Sequence, residues 1–176
     1  RRITDGGVRR IDRRAIHRTE DGGRAGTWLH LRSPGGTADD YTTGPNLEQV
    51  ALDRLRAGDI DGVRTVLATW WTVAHRSASE RQVTDEEAHP FLPAGSRTVL
   101  PGDHLDLGLD NLVGPVEHPA EVLFVDDEWE ATGGVDRDLA AMRTCWKLAT
   151  AVVSVGTRHP WPTSTTVDKM AAKFYD

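Results

Sequence analysis

Apolar residues at Ile60, Val63, Val66, Leu67, Trp70, Val73 and Ala74 recur at steps of three and four, which puts them on one face of a helix from Asp59 to about Ser77. The adjacent Trp70 and Trp71 cannot both face inward, so one is expected in the core and the other partly exposed. A shorter helix is predicted just before, from Leu47 to Ala57. Asn46 is its N-cap, with Gln49 three residues on, and Gly58 is its stop. Beyond the Gly133-Gly134 turn, Asp136 is placed to cap a third helix that Gly156 ends, with Leu139, Met142, Trp146, Ala149 and Val153 on its predicted inner face. Thr165 and Asp168 have capping-box spacing for a last helix that turns Val167, Met170, Ala171 and Phe174 inward.

Between these helices the period changes. Val8 to Ile16 and Thr27 to Leu31 read as two strands joined by the turn-rich Thr19 to Gly26, where Asp21-Gly22-Gly23 is a hairpin signal. Ser33 to Asp40 reads as a flexible Pro/Gly loop, and Ser79 to Arg97 as a polar connector interrupted by Pro90 and Pro93. Val122 to Val125 is a short apolar run with the character of a buried strand, and Thr157 to Pro162 a stiff, extended link. The fold class predicted is α+β and mainly helical.

Composition narrows the function. The chain has 176 residues, 38% hydrophobic and 27% charged, enough for one domain with its own core. A net charge of −6 argues against a nucleic-acid surface, which needs a positive field. The basic cluster of Arg1, Arg2, Arg9, Arg10, Arg13 and Arg14 is read as a solvated strand face rather than an anion site. The single cysteine, Cys145, falls in an apolar helical run and is read as packing; cytoplasm is the expected compartment. No run reaches the roughly 20 apolar residues of a membrane span, so no membrane insertion is expected. The sequence starts at Arg1 rather than Met and reads as a piece of a longer protein.

The stretch Val99 to Trp129 carries the chemistry. His104, Asp106 and Asn111 have the spacing H-x-D-x-x-x-x-N, and fifteen residues after Asn111 the apolar run ends in Asp126. Phosphoryl transfer needs one carboxylate to orient and deprotonate a hydroxyl, and an amide with a second carboxylate to hold Mg²⁺ on the phosphates. The pattern resembles the catalytic loop and metal-binding aspartate of kinase-like phosphotransferases. Asp126-Asp127-Glu128-Trp129 is similar to the Asp-aromatic-Glu-aromatic element of aminoglycoside- and choline-kinase-like proteins, with Asp127 standing where that element has an aromatic. The resemblance implies Asp106 as the base, Asn111 and Asp126 as metal ligands, and His104 as a residue that orients the loop.

Plainer readings remain open at the same residues. Asp103, Asp106 and Asp110 suit the turns of a surface loop, and His104 with the two nearer aspartates is a candidate metal cluster, though three neighbours on one loop rarely close a zinc site. Seven histidines allow many triads, yet G-x-S-x-G is absent. Tyr41 to Leu47 resembles the segment after a kinase hinge. The resemblance therefore divides the chain into residues 1–40, a β-hairpin and hinge-like loop left from a small lobe, and residues 41–176, a kinase-like C-terminal lobe. The Gly-rich loop and strand lysine that grip ATP would precede residue 1, because the three lysines, Lys147, Lys169 and Lys173, come too late in the sequence. Mg²⁺ and ATP are thus expected to bind weakly, with no autonomous turnover.

The Asp-x-Glu-Trp element, the Trp-bearing helix after it and Gly156 to Pro162 also resemble the C-terminal region of class I SAM-dependent methyltransferases of bacterial surface-glycan and natural-product pathways. SAM would then sit on an upstream domain, since the glycine turn of a SAM site is missing here. Three functions follow as expectations. They are a kinase-like domain of a glycan-modifying methyltransferase, a small-molecule hydroxyl kinase without its ATP-clamping lobe, and a non-catalytic interaction or oligomerisation domain. The partner expected is an upstream domain of the same polypeptide or a second copy of the chain.

Overall fold

The computed structural model describes residues 44–86, 94–125 and 129–176, the side chain of Trp129 excepted, and the strand backbones at 8–10, 15–19, 28–32 and 38–39. Four helices and several small antiparallel sheets make it an α+β fold. Asp126, the Asp21-Gly22-Gly23 turn, Tyr41 to Thr43, Pro90, Pro93 and the side chains of the arginine cluster lie outside the described residues.

The first two helices form where the apolar period and the caps agree. Helix α1 spans Leu47–Ala57: the Asn46 side chain accepts from the Gln49 amide at 3.2 Å, and the chain turns left-handed at Gly58. Helix α2 spans Ile60–Ser77 behind an Asp59 cap bonded to the Gly62 amide at 2.8 Å. Its predicted stripe is the buried one, with Val66 and Trp70 almost wholly enclosed. Trp71 is partly buried, edge-on to Trp70, with the Arg137 guanidinium 5.2 Å above its ring.

The later helices depart from the expected pattern. Helix α3, Arg137–Ser154, is capped by Asp136 as predicted, but Met142, Trp146 and Val153 are 55%, 52% and 51% exposed. The buried face is instead Ala140, Ala141, Thr144, Cys145, Leu148, Ala149 and Val152. Helix α4, Val167–Tyr175, packs on α3 through Met170, Ala171 and Phe174, and the small residues of α3 let it come close. Thr165 does not cap α4; the N-cap is Thr166, whose hydroxyl bonds the Asp168 carboxylate and holds its pKa below the ordinary value.

The strands correct the sequence reading most. Within and beyond the expected Val8 to Ile16 strand, the described pieces are β1, Val8–Arg10, and β2, Ala15–Thr19; β2 pairs with β3, Trp28–Arg32, while β4, Ala38–Asp39, extends that sheet where a loop was expected. The supposed connector contributes β5, Ser79–Val83, and β6, Gly95–Leu100, paired antiparallel. Apart from Val83 and the buried Val99–Leu100 end of β6, those strands are polar, held by Glu80 accepting from Ser96 and Thr98, so no sustained alternation announces them. The run at Val122 to Val125 is a strand only at Leu123–Phe124 (β8), paired with Leu112–Val113 (β7), and Leu123 is 53% exposed rather than buried. Trp129–Ala131 (β9) takes β1 as its partner, and Val135–Asp136 (β10) joins β6.

One core unites the four helices with the loop that follows β6. Among the described residues no helix is long and apolar enough to cross a membrane.

Candidate functional site

The loop from His104 to Asn111 is pinned by alternation. Leu107, Leu109 and Leu112 are buried in the core, while Asp106 just before them and Asp110 and Asn111 between Leu109 and Leu112 keep partial access to solvent. Two short 3-10 turns, Gly102–His104 and Leu109–Asn111, set the curvature. Helices α2 and α3 hold it from below: Trp70 Nε1 donates to the Leu107 carbonyl at 2.9 Å and Thr144 Oγ1 to the same oxygen at 3.2 Å. Helix α1 holds it from the side, where Asn46 Nδ2 donates to the Asp110 carbonyl at 2.7 Å. Asn46 thus caps α1 with one end of its amide and grips the loop with the other.

Asn111 closes the loop. Its Nδ2 donates to the Asp106 carbonyl at 3.0 Å, and its own carbonyl accepts from the Val125 amide at 3.0 Å. Its Oδ1 makes no hydrogen bond among the described residues. The strand that runs on to Asp126 is therefore tied to the loop at its last described residue. The structure brings Asp106 and Asn111 together, while Asp126 lies outside the described residues.

His104 is held on two sides. Its Nδ1 is 2.8 Å from Asp103 Oδ1 and its ring centroid 5.3 Å from that of Phe124, which anchors the loop against β8. Among the described residues no three His, Cys, Asp or Glu side chains are grouped to hold a metal ion. Cys145 is buried, and burial pushes its thiol up to about 11, which leaves it protonated and inert at neutral pH.

The cations of the site come from α3. Arg143 donates to the Leu105 carbonyl and to Asp106 Oδ1, and Lys147, one turn on, lies 2.6 Å from Asp110 Oδ2 and 3.6 Å from Asp106 Oδ1. Gly108 makes room for this arrangement, since a Cβ there would come within 2.3 Å of Asp110 Oδ1 and 3.3 Å of Lys147 Nζ. Asp110 Oδ1 is buried without a partner. Sequence reading missed Arg143 and Lys147 as site residues. Their only signal was an i, i+4 basic pair on a helix face otherwise made of small residues.

Glu48 in the first turn of α1 completes the cluster. Burial, and then the Asp110 charge, push its pKa above the ordinary 4.5, and Lys147 pulls it back. An acid with a raised pKa in the fold binds its proton more tightly than the unfolded chain does. Its ionisation therefore costs no stability below pH 4.5 and a growing amount as pH climbs through the folded value. Glu48→Gln is expected to stabilise the protein at neutral pH by less than about 1 kcal/mol, because the group is half exposed and screened. The gain should vanish near about pH 4. Thermal denaturation at the two pH values checks this; an equal shift at both would remove the electrostatic explanation.

No family model, curated protein or solved structure matches the chain.

Proposed function

We propose that the chain carries the base-and-metal half of a phosphotransferase site acting on a hydroxyl group, built on a kinase-like helical lobe. The tie at Asn111 carries this reading. One side chain closes the turn that bears Asp106, and the same residue's carbonyl receives the strand leading to Asp126. A carboxylate base, an amide ligand and a second carboxylate in that chain order match the requirements of phosphoryl transfer.

In this reading Asp106 takes the proton of the acceptor hydroxyl as its oxygen bonds to the γ-phosphorus and the bond to the ADP oxygen breaks. Asn111 and Asp126 would hold Mg²⁺, which would supply charge neutralisation on the phosphates. Arg143 and Lys147 both reach Asp106 Oδ1. An incoming phosphate would compete with the carboxylate for these two cations, which would then stabilise the transferring group. The residues that grip the α- and β-phosphates are not in this sequence, so the chain alone binds Mg²⁺-ATP no tighter than about millimolar, roughly −4 kcal/mol.

Mn²⁺ in place of Mg²⁺ gives a test that needs no acceptor. Paramagnetic broadening of amide signals is expected to centre on Asn111 and Val125, to grow when ATP is added, and to disappear in Asp126→Ala with the fold intact. Broadening spread over the acidic surface, or unchanged by Asp126→Ala, would refute the reading.

A further inference from the structure

At the other end of α1 a cleft of about 380 Å³ opens between the helix's last turn and the 158–160 segment. Buried Leu55, with Ala57 and Pro160, gives it apolar walls, and Arg56, Arg158 and His159 are its polar groups. Its volume lies at the small end of the roughly 300–1,000 Å³ usual for ligand pockets, which suits a small molecule.

The polar groups have bonding capacity to spare. Arg158 makes no ion pair or hydrogen bond among the described residues. Arg56 reaches only Asp53, at 2.5 Å, in a pair whose side chains are 45% and 61% exposed, and such surface pairs exchange readily for a better partner. His159 lines the cleft beside Arg158, with its Nδ1 turned into the protein and its other ring nitrogen left for a ligand. The segment is also firmly backed: the His159 ring lies 5.7 Å from Trp161, and Trp161 packs edge-on to Phe174 of α4 at 5.6 Å.

A helix C-terminus repels anions through its free carbonyls. Here that effect is reduced, because the Gly58 amide bonds the Leu55 carbonyl and the Asp59 amide the Arg54 carbonyl, both at 2.9 Å. Two guanidinium forks beside an apolar floor are suited to a planar or tetrahedral oxyanion on a small carbon skeleton.

We propose that this cleft binds a small ligand bearing a phosphate or carboxylate group, held by Arg158 and Arg56 with His159 as a further hydrogen-bonding group. It is separate from the Asp106 loop, about 16 Å away along the eleven residues of α1. The proposal does not depend on the phosphotransferase reading.

Amide NMR spectra of the whole 176-residue chain, titrated with inorganic phosphate and in parallel with citrate at constant ionic strength, test it. Saturable shifts are expected at Arg56, Gly58, Arg158 and His159 with the 104–111 loop unmoved, and the anion that saturates first identifies the chemical class. Arg158→Gln should weaken that binding at least tenfold without lowering Tm in the absence of ligand, and His159→Gln should weaken it less. Linear, unsaturated shifts, shifts centred on the Asp106 loop, or a Kd unchanged in Arg158→Gln would each overturn the proposal.

Discussion

Replacing Trp70 by alanine is expected to lower the unfolding free energy by about 3–5 kcal/mol, the usual cost of removing a large enclosed aromatic. Trp70 is 1% exposed at the centre of α2's buried face and edge-on to Trp71 at 5.2 Å. It also fixes the candidate site, because its indole donates to the Leu107 carbonyl between Asp106 and Gly108. Trp70→Phe separates the two roles. It keeps much of the apolar volume and loses the indole hydrogen bond, a net change of about 1 kcal/mol for that bond, while Thr144 still serves the same carbonyl. Urea denaturation of both variants checks the order, and amide exchange at residues 107–111 should quicken in Trp70→Phe before global stability falls far. A Trp70→Ala loss below about 1 kcal/mol would contradict the enclosed position.

The α1 and α2 helices were readable because period, cap and stop all pointed to the same boundaries: Asn46, Gly58 and Asp59 do what their residue types favour. Helix α3 was readable in extent but not in facing. Its sequence carries two stripes, one of large apolar residues at Met142 and Trp146 and one of small residues around Ala141 and Cys145. Hydrophobicity selects the first, whereas the close approach of α4 selects the second, and only the tertiary fold says that α4 packs there. The β5–β6 pair left no sustained apolar alternation to find, since from Glu80–Gln82 to Ser96–Thr98 its residues are polar.

The candidate site divides in the same way. Asp106 and Asn111 are five residues apart within one turn, a local relation that spacing expresses directly. Asp106 and Arg143, and likewise Asp110 and Lys147, are 37 residues apart, and Asn46 and Asp110 are 64 apart. No period links such positions. They meet because α1 and α3 both dock against the leucine-pinned loop.

Gly114→Ala is expected to destabilise the protein by about 2–4 kcal/mol, combining roughly 1–3 kcal/mol of backbone strain with displaced packing. Gly114 follows β7 with φ of +147°, a conformation that suits glycine and strains any L side chain. A Cβ there would lie 2.8 Å from Val122 Cα and 3.0 Å from the Glu121 carbonyl oxygen, and both neighbours are backbone that cannot swing aside. Its amide also donates to the Pro45 carbonyl at 3.0 Å, which joins the start of α1 to the β7–β8 hairpin. Relief of the contact therefore has to push the 121–122 backbone away from β7. That movement pulls Val122 from the core and strains the Leu112–Phe124 pairing next to the Asn111–Val125 bond. Chemical denaturation reads the stability loss, and faster exchange of the Val125 amide than of amides in α2 shows that the damage centres on the hairpin. A loss below about 1 kcal/mol with Val125 still protected would mean that this junction has slack, and that the tie between the Asp106 loop and the strand toward Asp126 does not depend on it.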